Sequence, residues 1–397
     1  MTRKVQIRNL LRRIRNTLFI LFVYMFGTSI PVPIAKVTQQ FHQLLNDTPI
    51  TLISFMSGAN LMHLSLFMIG LNPLMIAMLI LQLLTMIRIF GIDTLSNNQV
   101  MALQQILTAI FTVIQATVLT VTMHLTSGLR DTFIVVLILT AGSLFVVWLG
   151  FMNMRFGIGG TVTIVLFNII TLSLPTIIRT FKNLGTLPHS NLWYVLLGIL
   201  VIFEIVFWTA FSHAYYPVTI INTSLSSKER PVILPIGLNT GAMMTYMIGM
   251  SLLMLPTIAG NFLGPKSIFA NLYFDATLSG ILAFVLFYFF AFMLFNPHDK
   301  AKQLRNSNNY VLNVRPGKPT QKYLTKRLIF ASLPGALINA LQLSMGLVGS
   351  KLLGKFAGFA IIPLNAVMVV MFMSGIKDVF LILLFPQKYE KLAKKEV

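Results

Sequence analysis

The sequence predicts an all-α integral membrane protein of ten transmembrane helices. Three observations predict it. Hydrophobic residues make up 56% of the chain and charged ones only 10%, too little polar surface to cover a water-soluble globule of 397 residues. Apolar runs recur at about the 20-residue length that a helix needs to cross hydrocarbon. The thirty basic residues, which give a net charge of +20, lie mostly between those runs. They are not spread over amphipathic or aromatic-interleaved faces, so the charge does not indicate nucleic acid.

The candidate spans run approximately 17–35, 61–84, 102–124, 132–152, 160–179, 192–216, 239–259, 276–295, 328–348 and 357–376. The first follows a basic start. Because no A-x-A-like cleavage site and many further spans follow Leu18–Ile34, it reads as a retained helix. The second contains Pro73 within FMIGLNPLMIAMLILQLL (67–84), where a proline removes a helical hydrogen bond and should break or kink the segment. Such breaks are tolerated in lipid only where protein or a water-filled cavity satisfies the freed backbone. The stretch before it, TPITLISFMSGANLMHL (48–64), is too short to span. It is either an interfacial helix or a re-entrant segment folding back into a cavity. Between the fourth and fifth spans, FGIGG (156–160) lacks the GK[ST] of a phosphate-binding loop and reads as a helix start or a point of close packing.

Two polar segments project from this frame. In 217–235, β-branched Val218, Thr219, Ile220 and Ile221 precede a polar SLSSKER turn, with Val232 and Ile233 after it, the pattern of a small β-hairpin. Residues 296–327 carry eight positive charges and one acid, Asp299, and are longer than joining two antiparallel helices requires. Both are natural docking sites for a soluble partner.

Basic residues in short loops resist translocation. With the N-terminus inside, inner segments hold 23 Lys and Arg and outer segments 7. Both termini are therefore expected in the cytoplasm.

Chemistry at membrane depth is sparse. Of the charged side chains only Glu204 lies well inside a predicted span, either as a proton or cation site or as a residue hydrogen-bonded to a neighbouring helix. Pumps and ion-coupled transporters need more ionisable groups than that. The six histidines form no i, i+4 pair, and there is no cysteine, so neither a metal site nor thiolate chemistry is expected. No nucleotide site is visible. The chain reads as a passive channel without cofactors, not as an enzyme, and any ATP is used by another protein.

The motifs then resemble one family. GTSIPVP (27–33), FMSGANLMHLSLFMIGLNPLMIAMLILQLL (55–84), FGIGGTVTIVLF (156–167), LPIGLNTGAM (234–243) and FNPHDKAKQL with VRPGKPTQKYL (295–304, 314–324) are similar, in order and over nearly the whole length, to segments of SecY, the channel subunit of the Sec protein translocase. The last pair is the most specific. The resemblance implies two pseudo-symmetric five-helix halves, 1–185 and 186–397, clamped around an hourglass pore, with cytoplasmic loops 217–238 and 296–327. It assigns a constriction ring to Leu71, Met75, Val162, Leu166, Met247 and Met368, all apolar. A narrow hydrophobic collar opposes ion leakage by dewetting, and methionine can repack around varied shapes. It likewise implies a plug near 50–64 with Ser57, Gly58 and Asn60, and a lateral gate lined by Gln82, Gln115, Asn239 and Thr240. Contacts to a SecA-type ATPase fall on Lys228, Arg230, Arg315 and Lys318.

Departures from the pattern are Gly160 for the usual Asn, Gly237 for the usual Lys, and Pro363, Leu364 and Asn365 where the tenth helix carries G-T-S. They make the chain look like an accessory SecY of Gram-positive bacteria. That type works in the cell membrane with a dedicated accessory SecA and small SecE- or SecG-like or accessory Sec subunits, and exports serine-rich, glycosylated adhesins. The alternatives are a housekeeping SecY and, in a different class, an inverted-repeat secondary transporter supported by Glu204 alone.

Overall fold

The computed structural model describes residues 3–35, 64–87, 95–122, 124–126, 128–186, 190–222, 232–246, 271–353, 356 and 358–384. Among the described residues, eleven helices and three strands follow in order: α1 (Arg3–Ser29), α2 (Asn72–Ile87), α3 (Asn97–Thr122), α4 (Leu129–Phe156), α5 (Gly160–Leu184), α6 (Ser190–His213), β1 (Tyr215–Asn222), β2 (Val232–Gly237), α7 (Ala242–Met244), α8 (Leu272–Phe295), α9 (Pro297–Asn306), β3 (Asn309–Val311), α10 (Lys318–Leu352) and α11 (Gly358–Leu384). Among the described residues, seven of these helices are long and apolar enough to cross a membrane, and α2 is a shorter apolar helix.

The breaks fall where backbone chemistry puts them. α1 stops at Ser29, ahead of Pro31 and Pro33, which cannot continue its hydrogen bonding. The expected second span starts later than the apolar run does: residues 64–71 are not helical and α2 begins at Asn72. Pro73 therefore sits in the first helical turn, where its missing N–H would have had no partner anyway. It marks a helix start, not a mid-span kink.

The FGIGG turn joins α4 to α5 around one buried side chain. Asn153 Nδ2 donates to the carbonyls of Ile158 (3.1 Å) and Gly160 (2.8 Å), and its Oδ1 accepts from Thr17 Oγ1 of α1 (3.0 Å). Thr17 Oγ1 in turn accepts from the Ile158 amide at 2.9 Å. Gly159 has φ +79°, in the left-handed region that costs a glycine nothing. Three helices are thus pinned to one turn.

Elsewhere α8 lies along α10, α5 along α11, and α3 between α2 and α4. Across the α5–α11 seam, Asn365 Nδ2 donates to Ser173 Oγ at 2.8 Å, both residues being buried. Within α10, Pro334 cannot donate to the turn before it. The hydroxyl of Tyr288 on α8 donates to the Ile329 carbonyl at 2.9 Å in that same region, an example of a neighbouring helix serving backbone groups near a proline.

The hairpin expected at 217–235 is present, antiparallel, with Val218 opposite Leu234 and Ile220 opposite Val232. The sequence reading missed what lies beside it. The 296–327 segment is not a plain loop: it forms α9 and then β3, which pairs with the other edge of β1 to make a three-stranded sheet of order β2-β1-β3. α9 is stopped from continuing α8 by Asn296 at φ 37°, whose side chain caps the Asp299 amide. Val218, Ile220, Ile236, Phe295, Leu304, Val311, Leu324 and Leu328 bury a small core between sheet, α9 and the start of α10.

Candidate functional site

The predicted collar residues fall on three helices and the segment leading into one of them. Leu71 closes the non-helical stretch before α2 and Met75 lies one turn into that helix. Val162 and Leu166 share a face of α5, and Met368 lies in α11. Leu71, Met75, Leu166 and Met368 are buried in one contiguous apolar core, and Val162 packs against it. Met247 lies outside the described residues.

That core is reached by irregular backbone. The Val32 amide donates to the Leu64 carbonyl (2.9 Å) and the Leu66 amide to that of Ile30 (3.0 Å). Ser143 Oγ on α4 donates to the Gly70 carbonyl at 2.8 Å. Phe67 to Leu71 are buried. This non-helical chain is therefore supported by the segment that follows α1 and by α4, the protein-lined setting that such backbone needs in a membrane. The expected plug residues Ser57, Gly58 and Asn60 lie outside the described residues.

The four residues expected at a lateral gate divide into two pairs. Gln82 on α2 and Gln115 on α3 each have a buried Oε1 without a hydrogen-bond partner among the described residues. Asn239 and Thr240 are engaged: Asn239 Oδ1 accepts from Asn339 Nδ2 of α10 at 3.0 Å, and Thr240 Oγ1 donates to the Gly237 carbonyl at 2.8 Å. A Cβ at Gly335, one turn before Asn339, would stand 2.3 Å from the Leu238 carbonyl oxygen. The chain leading from β2 into α7 is therefore clasped against α10. Among the described residues no hydrogen bond joins the two pairs. Asn339 was missed in the sequence because a lone Asn in an apolar run carries no sign of its partner.

On the polar side, Arg315 and Lys318 are exposed where the chain turns into α10. The turn is set by Gly317 at φ +95° and by Thr320 Oγ1 donating to the Arg315 carbonyl at 2.8 Å. Lys322 and Lys326 continue the exposed basic stripe along α10. The Arg327 guanidinium lies 5.2 Å from the Tyr216 ring and 5.0 Å from that of Tyr323, a cation–π contact that ties the hairpin to α10. Lys228 and Arg230 lie outside the described residues.

Glu204 is hydrogen-bonded, as one of its two sequence readings had it. Its Oε2 accepts from Trp208 Nε1 in the same helix at 2.8 Å and from Gln342 Nε2 of α10 at 3.4 Å. Among the described residues no group of three or more His, Cys, Asp or Glu is placed to hold a metal ion.

This arrangement, a multi-pass bundle with an apolar middle and a basic folded face, can be compared with known proteins. The SecY family model matches residues 65–373. The accessory Sec system protein translocase subunit SecY2 of Lactobacillus johnsonii is 43% identical over 98% of this chain and 99% of its own length. That of Streptococcus sanguinis is 27% identical over 85% of this chain and 88% of its own. The solved structure described as "The structure of a protein conducting channel" superimposes with a TM-score of 0.62 at 15% identity, covering 94% of this chain and 92% of that one. A family match across most of the length, a near-full-length relative and a shared fold agree, and the chain belongs to the SecY family of protein-conducting channels.

Proposed function

We propose that this chain is the channel subunit of an accessory Sec translocase, passing unfolded or glycosylated polypeptide across the cell membrane. The observation that carries this reading is the assembly of Leu71, Met75, Leu166 and Met368 in one uncharged core, in a chain 43% identical over its length to an accessory SecY2. The collar these residues form with Val162 and Met247 parts around a moving chain and closes against ions behind it. Residues 1–185 and 186–397 act as the two halves of a clamp, and the segment near 50–64 plugs it. Gln82, Gln115, Asn239 and Thr240 line the seam where it opens.

The push comes from a dedicated SecA-type ATPase that grips the basic face at Lys228, Arg230, Arg315 and Lys318. Small SecE- or SecG-like or accessory Sec subunits complete the complex, both termini face the cytoplasm, and the cargo is serine-rich surface adhesin. The chain has no cysteine, so a single one placed by Met75→Cys is unambiguous. It should form a disulfide with a cysteine in an arrested secretory substrate. Crosslinks only from lipid-facing controls such as Phe203→Cys would rule out a central path.

A further inference from the structure

α6 is a long apolar helix in which Leu197 and Trp208 are the buried residues; most of its side chains face outward. Glu204 lies about 4 Å along the axis from its midpoint, counting 1.5 Å per residue, and so close to the middle of the bilayer. A carboxylate there is expensive unless it is paired. Its two donors, Trp208 and Gln342, are neutral and share one oxygen, Oε2. Oε1 has no hydrogen bond among the described residues, and the side chain is only partly buried.

Tyr246, just past α7, is buried, and its hydroxyl has no hydrogen-bond partner among the described residues. On the outer surface Leu341 and Met345 flank Gln342 and are 61% and 71% exposed, and among the described residues nothing stands within 4 Å of a Cβ built on Gly198 of α6. Glu204 Oε1 is therefore an unsatisfied acceptor on a flank that is otherwise apolar.

We propose that the flank of α6 and α10 around Glu204 is a docking surface for a partner transmembrane helix carrying a lysine or arginine near its middle. The cation pairs with Oε1, and the partner's apolar side chains cover Leu341 and Met345. A single cationic residue mid-helix complements the free Oε1 of Glu204, and it would select one partner among the many apolar helices of a membrane.

The test uses the full chain in liposomes and a synthetic leucine-alanine transmembrane peptide. The peptide bears one central Lys, or Leu in the control, and a photoreactive group one turn away. The Lys peptide should crosslink to α6 and α10 near Gly198 and Met345. Its apparent affinity should exceed that of the Leu peptide by about 3- to 30-fold. Glu204→Gln should abolish the difference and Glu204→Asp restore most of it. Equal binding of both peptides to the unaltered chain overturns the proposal whether or not the Gln variant folds. So does crosslinking confined to α2 and α3, which would mark the peptide as cargo and leave the channel reading intact.

Discussion

Asn153 shows how much one side chain can hold. It serves the carbonyls of Ile158 and Gly160 and takes a hydrogen bond from Thr17, all in a buried setting. Asn153→Ala leaves these groups unpaired, and each buried orphan costs about 1–3 kcal/mol. A loss of roughly 2–4 kcal/mol follows, read as a lowered unfolding midpoint of the detergent-solubilised chain. Met154→Ala, at an exposed position, should leave the midpoint unchanged, and an equal fall in both would remove the special role. The helix start at Gly160 was legible from FGIGG. Asn153 was not, because an isolated Asn in an apolar helix reads the same whether it faces a turn or a neighbour.

Among elements, the legible parts were those with a period. The apolar runs gave α3, α4, α5, α6 and α8 to within about five residues, but they could not show that α1 and α10 extend well into polar sequence or that α2 starts only at Asn72. Most of the expected span 239–259 lies outside the described residues. The β-branched alternation gave β1 and β2. Pro73 was legible as a break, but only the chain's path could tell a kink from a helix start. β3 was hidden for a different reason: at three residues it has no period, and its partner lies in another loop. Of the collar, only apolarity was legible, since burial in a common core depends on how distant helices meet. The R-P-G turn was legible as a motif, and its consequence can be measured. Arg315 is exposed and makes no side-chain hydrogen bond among the described residues, so Arg315→Glu should leave the fold and the amount of protein in the membrane unaltered. Under the proposed motor contact it should still reduce ATPase-driven export several-fold, because reversing the charge removes the pairing that contact would make. Export at the unaltered rate would take Arg315 out of the motor contact.

At the scale of the whole molecule, the arrangement of charge makes a prediction independent of any partner. If the proposed orientation holds and the basic segments face the cytoplasm, a cysteine replacing Lys318 should react with a membrane-impermeant maleimide only after cells are opened. One replacing Arg130, at the start of α4, should react in intact cells. The reverse pattern would invert the protein and move the basic face to the wrong side for an ATP-driven motor.

Finally, β1 is bonded along both edges, to β2 from its own hairpin and to β3 from a segment some ninety residues later. A force applied to either loop is shared by the other before it reaches the bilayer. The clasp of Asn239 by Asn339 passes it on to the start of α7. The folded polar face is thus one connected unit, and a ligand gripping any part of it would pull on the whole.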